Sequence, residues 1–158
     1  MRYFAHSSEN KEKPWQTINE HLSKTAQISS NYAKKFNAGD FGYTCGMFHD
    51  LGKYSYEFQR KLQGEVINVD HSAAGAREVV KLYGETLGKL MAYAIAGHHS
   101  GLTNHGTDAS TEGTLTSRLY SSVIKDYSAY KNEFDFESNK TILNLPVKAV
   151  DKDYIGFT

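Results

Sequence analysis

The sequence predicts an all-α domain, and three observations carry that prediction. A run without glycine or proline extends from Thr17 to about Phe36, with apolar residues loosely at helical spacing. Two later runs, residues 72–83 and 86–96, are rich in alanine and place apolar side chains every three to four residues. Third, the polar pairs His49-Asp50, Asp70-His71 and His98-His99 sit at the ends of such runs, inside otherwise apolar surroundings. With 158 residues, 39% hydrophobic and 13% aromatic, residues 1–158 are long enough for one domain with a core of its own.

The elements follow in order. Pro14-Trp15 suits the approach to the first helix, on which Ile18, Leu22, Ala26 and Tyr32 form one face. Asp40 is expected to cap a second helix running through Met47-Phe48-His49-Asp50 and ended by Gly52. A third is expected over residues 54–62, before Gly64, followed by a connector over residues 65–70. The fourth runs from about Ser72 to Tyr83 with Ala76, Val79, Val80 and Tyr83 on one face, and the fifth from about Thr86 to Ala96. Small residues dominate both surfaces, so the helices can approach closely around a compact site. Residues 100–113 are rich in Gly, Ser, Thr, Asn and Asp and read as an exposed loop. A sixth helix is expected from about Leu115 to Tyr130, and residues 134–158 as an irregular or weakly extended tail.

Eighteen basic residues balance eighteen acidic ones, so no global positive field advertises a nucleic acid. A DNA substrate is neither supported nor excluded by charge, because a bound dication adds local positive charge. No apolar run reaches the length needed to cross a bilayer, and the start Met1-Arg2-Tyr3-Phe4-Ala5-His6 lacks the apolar stretch of a secretory signal. A cytoplasmic protein without a membrane partner is expected. The single cysteine, Cys45, rules out an intrachain disulfide and reads as helix core rather than nucleophile.

Imidazole nitrogens and carboxylate oxygens are the ligands that borderline divalent metals prefer, so the recurring His-Asp and His-His pairs point to a metal-centred site. Neighbours on a helix point about 100° apart, so His49 and Asp50 serve one centre only at a helix end, or else each faces a different metal. A carboxylate has two oxygens and each imidazole offers one nitrogen, which makes Asp50 the natural shared ligand. Two metals would clamp a phosphate for in-line attack, so the clusters point to phosphoester hydrolysis. Lys53 either neutralises the phosphate or its leaving oxygen, or is an ordinary solvated lysine. His-rich ligation is compatible with iron, manganese, cobalt, nickel or zinc, and magnesium also qualifies. His6 is expected as an exposed terminal residue and His105 as a solvent-facing loop residue close enough for phosphate contact, while the tyrosines read mostly as amphipathic core and rim, with Tyr54 and Tyr56 also able to stack a base.

The run Phe48-His49-Asp50-Leu51-Gly52-Lys53 resembles the signature of the HD phosphohydrolase superfamily. More narrowly, its continuation to Phe58-Gln59, then Asp70-His71-Ser72-Ala73-Ala74-Gly75-Ala76, then Ala96-Gly97-His98-His99-Ser100-Gly101-Leu102, is similar to the HD nuclease domain of the CRISPR-associated type I effector helicase-nuclease. The resemblance covers nearly the whole chain in order. It implies a compact HD-type helical bundle that cuts single-stranded DNA with one or two divalent transition metals in antiviral defence. It also implies a superfamily 2 helicase, in cis or in trans, that supplies the strand, and a CRISPR RNA-guided surveillance complex. Carried over position by position, His21, His49 and Asp50 would hold one metal and Asp50, His71, His98 and His99 the other, with Lys53 beside the site.

The family pattern also has a late aspartate, on a helix following a segment like Leu145-Pro146-Val147-Lys148 and Ile155-Gly156-Phe157, whereas this sequence stops at Thr158. The chain is therefore expected to lack its C-terminal helices, and its first metal site to be the weaker, unless Asp151 or Asp153 supplies the ligand. Both aspartates lie in a polar stretch with Lys148 and Lys152 that reads as solvated surface. Two other readings stay open: an HD-type phosphohydrolase of a nucleotide or cyclic dinucleotide, and a shortened domain that binds metal without activity.

Overall fold

The computed structural model describes residues 2–8, 12–107, 109, 113–141, 143, 147–151 and 154–157. As the periodicity predicts, the described residues are mostly helical. Two strands that are too short to leave a periodic signal precede the first helix. In this ribbon β1, Phe4–His6, pairs antiparallel with β2, Gln16–Thr17. The buried amide of Gln59 pins it, accepting from Phe4 N at 3.0 Å and donating to Phe4 O at 3.0 Å and Lys53 O at 2.8 Å.

Helix α1, Ile18–Ala33, starts at a capping box in which Thr17 accepts from Glu20 N and the Glu20 carboxylate accepts from Thr17 N. Its buried face is Ile18, Leu22, Ala26, Ser30 and Ala33, a row of four- and three-residue steps. Tyr32, expected on that face, is 67% exposed. Continuing the four-residue row past Ala26 leads to Ser30 and Ala33, and these small side chains let α2 approach. Helix α2 spans Gly39–Phe48. Asp40 lies in its first turn instead of at the cap, which is Ala38, so it complements the helix dipole but satisfies no amide through a cap.

Glycines set how close α2 lies to α1. A Cβ at Gly42 would stand 2.6 Å from Ser29 O, and one at Gly46 would overlap the Ala26 backbone. After α2 a tight turn, Leu51–Tyr54, leads to α3, Tyr56–Leu62, whose first amides are capped by Ser55 Oγ through Phe58 N at 3.3 Å.

The helical stretch Ser72–Gly97 is broken at Gly84, whose φ of 79° favours glycine, into α4, residues 72–83, and α5, residues 85–97. The two fold back on each other. A Cβ at Gly88 would lie 2.6 Å from Val79 O, while Ile95 Cγ2 would lie 3.3 Å from one at Gly75. The same Gly75 faces Phe48 O with no room for a Cβ, so α4 also touches the end of α2 backbone to backbone. Buried between these elements are Ile18, Leu22, Leu51, Val79, Met91 and Ile95.

The expected helix over residues 115–130 does not run through. A wide turn at Ser117–Ser121 ends where Ser122 becomes extended, and a separate short turn forms at Ser128–Asn132. Arg77 donates to Arg118 O and Ser122 O, and Ser122 Oγ to Ser117 O, so the carbonyls that would continue the helix have other donors. Within the tail, expected as irregular or weakly extended, β3, Val147–Asp151, and β4, Tyr154–Phe157, pair as an antiparallel hairpin. Among the described residues no helix is long and apolar enough to cross a membrane.

Candidate metal centre

Helix ends deliver every side chain of the centre except His21, which projects from the first turn of α1. Because α2 stops at Phe48, His49 is its cap and Asp50, at φ −117° and ψ 20°, lies beyond the helix. That removes the 100° divergence of adjacent helical residues, and His49 Nε2 comes to 3.1 Å from Asp50 Oδ2. His71 caps α4 and His98 caps α5. The folded-back geometry set by Gly84 brings these two opposite ends of the α4–α5 pair together. A Cβ at Gly52 would lie 2.5 Å from His71 Cα, so glycine lets the chain before α4 press directly on the turn after Asp50.

Asp50 is 2% exposed, and its two oxygens face different partners. Oδ2 lies 2.8 Å from His21 Nε2 and 2.9 Å from Lys53 Nζ, and Oδ1 lies 3.3 Å from His71 Nε2 and 3.4 Å from His98 Nε2. His21 Nε2 and His49 Nε2 are 3.0 Å apart, and His71 Nε2 and His99 Nε2 are 2.9 Å apart. The ligand atoms thus form two sets, His21–His49–Asp50 and Asp50–His71–His98–His99, each with all atoms within 4.8 Å of one another.

The tautomers of two of these rings follow from their partners. His49 Nδ1 lies 2.8 Å from Gly46 O and His98 Nδ1 lies 2.7 Å from Ile95 O. A carbonyl only accepts, so each Nδ1 donates and each neutral ring turns an Nε2 lone pair towards Asp50. Lone pairs facing a carboxylate and one another repel unless a proton or a cation lies between them. Asp50 Oδ1, buried, has no hydrogen-bond partner among the described residues. Donors about 2.1 Å from a shared ion are roughly 3.0 Å apart along an octahedral edge and roughly 3.4 Å along a tetrahedral one, which matches the spacings here. The donor set therefore fits a divalent metal, and Asp50 is the one residue common to both sets.

Burial drives the Asp50 carboxyl upward, but wherever a proton lies between it and the rings of His21, His49, His71 and His98 their hydrogen bonds outweigh burial and hold the group far below the usual carboxylate range. For His98 burial pulls downward, and Asp50 with the Ile95 carbonyl reverses the sign, leaving the imidazole raised. His99 is lowered, first by burial and then by His98 and His71. The site is thus an anion embedded in imidazoles, with its negative charge retained at neutral pH.

Lys53 is not a solvated lysine. It is 4% exposed, and its ammonium donates to Ala5 O at 3.2 Å while pairing with Asp50, so it ties the β1 strand to the carboxylate. Asp70, of the same sequence cluster as His71, turns away from the ligands and, from the position before the N-cap His71, accepts the first amides of α4, Ser72 N at 3.1 Å and Ala73 N at 3.3 Å. His105 is exposed in its loop and lies 2.8 Å from Tyr93 Oη, outside both ligand sets. Tyr54 is no base-stacking ring: it is 1% exposed and donates to Glu133 at 2.9 Å, whereas Tyr56 is 62% exposed. Cys45 is half-buried, and burial raises its thiol to about 12, which agrees with a chemically inert residue. Asp151 is the last residue of β3, and Asp153 lies outside the described residues.

Sequence reasoning missed His6. It is exposed as expected, yet its ring stands edge-on to that of His21 with centroids 4.8 Å apart, because the β1–β2 ribbon folds back against the start of α1. Nothing in the local pattern signals a three-residue strand.

The family model that matches the chain is that of the HD domain, over residues 18–150. The matched span contains His21, His49, Asp50, Lys53, His71, His98 and His99. No curated protein matches the chain.

Proposed function

This chain belongs to the HD domain family of metal-dependent phosphohydrolases, and from that premise we propose that it is a nuclease hydrolysing phosphodiesters of single-stranded DNA in CRISPR type I interference. The observation that carries the reading is the division of Asp50 between two sets of imidazoles. His21, His49 and Asp50 would hold one ion, and Asp50, His71, His98 and His99 the second. Bound divalent ions there would supply positive charge for the phosphate oxygens and acidify water for attack on phosphorus.

The chain's own residues do the positioning. The Gly46 and Ile95 carbonyls fix the His49 and His98 rings. Lys53 acts through Asp50, compensating its charge from the buried side and leaving the open side to substrate. Support for a polymer comes from the exposed His98–His99 rim, which a strand can reach without threading a closed pocket. The narrower assignment rests on the elements Asp70-His71-Ser72-Ala73-Ala74-Gly75-Ala76 and Gly97-His98-His99-Ser100-Gly101-Leu102. We assign a superfamily 2 helicase, in cis or in trans, as the source of the strand, within an RNA-guided surveillance complex.

The test is hydrolysis of labelled single-stranded DNA, duplex DNA, a deoxynucleoside triphosphate and a cyclic dinucleotide, with Mn²⁺, Fe²⁺, Co²⁺, Ni²⁺, Zn²⁺ or Mg²⁺. The reading predicts metal-dependent cleavage of single strands that chelation and Asp50→Ala both abolish. Turnover of the cyclic dinucleotide or nucleotide alone would replace the nuclease with a small-molecule phosphohydrolase. Metal uptake without hydrolysis would make the chain a binding domain.

A further inference from the structure

Arg118 lies outside both ligand sets, on the wide turn after the loop, and its guanidinium is half-buried against the two helix ends that carry His71, His98 and His99. Nη1 donates to Ala96 O at 2.5 Å, at the end of α5, and to Ser72 Oγ at 3.3 Å, at the start of α4. Ser72 Oγ in turn donates to Asp70 Oδ1 at 2.9 Å, which also accepts the first amide of α4. One cation therefore joins the residue after His71 to the residue two before His98.

The last carbonyls of α5 show what the contact does. Ile95 O receives the His98 ring, Ala96 O receives Arg118, and Gly97 O receives Ser100 N and Gly101 N. A positive charge at a helix C-terminus is favourable through the dipole, so Arg118 stabilises α5 at the turn that aims His98. It is itself held, because Arg77 of α4 donates to Arg118 O at 2.9 Å. Breaking this bridge would let the ends of α4 and α5 separate, and the ligands at risk are those of the four-residue set. His21 and His49, on α1 and α2, have no such link to Arg118.

We infer that Arg118 is a positioning residue for the Asp50–His71–His98–His99 metal set and not for the His21–His49–Asp50 set. The inference rests on the metal-centre reading above. The experiment is calorimetric titration of the intact chain with Mn²⁺, comparing wild type, Arg118→Met, Arg118→Lys, and Val79→Ala as a core variant of similar destabilisation that touches neither helix end. Arg118→Met is expected to weaken the tighter binding step roughly ten- to a hundredfold, the range for loss of an outer-shell partner. The weaker step should stay within about threefold, and Arg118→Lys should recover part of the loss. In a His21→Ala background, which keeps only the four-residue set, the same weakening should persist. Ser72→Ala gives a milder probe should Arg118→Met not fold, and should move the same step in the same direction. Equal weakening of both steps, weakening by Val79→Ala to the same extent, or an unchanged tighter step would overturn the inference while leaving the metal centre intact. Absence of Mn²⁺ binding by wild type would instead overturn the metal-centre reading and this inference with it.

Discussion

Replacing Asp50 with asparagine exchanges one oxygen for a nitrogen and removes the charge that both ligand sets share. Two effects follow, and they separate by experiment. Without metal, Asp50→Asn leaves the buried Lys53 ammonium without its counter-anion, and breaking a buried ion pair by removing one charge costs about 3–5 kcal/mol. The relief of four neutral imidazoles crowding a carboxylate offsets part of this, so the expected loss in urea unfolding is about 2–3 kcal/mol with chelator present. With metal, wild type at a hundredfold excess over Kd gains about 2.7 kcal/mol per site. For a chain of this length that corresponds to a rise in Tm of roughly 5–11 °C. The asparagine variant should show almost none of it for either site, since the neutral amide is a poor ligand to both. The assay is thermal unfolding across a Mn²⁺ titration, with and without chelator. If Asp50→Asn keeps a metal-induced rise equal to that of wild type, the shared-carboxylate argument fails.

His21→Ala and His99→Ala should each remove one of two calorimetric binding steps and abolish a different one, whereas His105→Ala should change neither by more than about twofold, since its ring engages Tyr93 outside the centre. Gly75→Ala should destabilise the chain by about 3 kcal/mol or more, because a Cβ there has no room against Phe48 O, and it should weaken metal binding as well by shifting α4 against α2. Circular dichroism melts with matched metal titrations would show whether these losses occur together. Asp70 carries the pH prediction. Burial pushes its carboxyl up, but Ser72, Arg118 and the α4 amides lower it below the usual carboxylate value, so its stabilisation is complete above about pH 4 and lost as pH falls through the folded-state value. Asp70→Asn should flatten that acid limb in urea midpoints measured from pH 5 down to 2.5, and an unchanged limb would count against the cap.

What the sequence made legible follows from how far each signal extends along the chain. Helices α1 and α2 and the pair α4–α5 announce themselves because burial of one face repeats over many residues, and Gly84 marks the break between the last two. The ligand residues were visible as types in pairs, and the division into two sets followed from the family resemblance and from the two oxygens of Asp50. Lys53 was ambiguous because spacing says nothing about burial, and its burial depends on the β1 strand arriving at Ala5. His6 and Arg118 were invisible for a related reason. Each reaches the centre through a contact with a distant segment, His6 by way of a three-residue strand and Arg118 by way of a turn in which helical hydrogen bonding has given way to side-chain donors. Tyr54 shows the limit from the other side, since the aromatic ring that suits a base also suits a core, and its burial with Glu133 at the hydroxyl decides for the core.

Anomalous diffraction from crystals soaked in Mn²⁺ reads directly whether two ions share Asp50. Two peaks that share Asp50 are expected, one bounded by His21 and His49 and the other by His71, His98 and His99, each about 2.0–2.2 Å from its ligand atoms. Peaks that do not touch Asp50, or one peak bounded by all five imidazoles, would contradict that sharing.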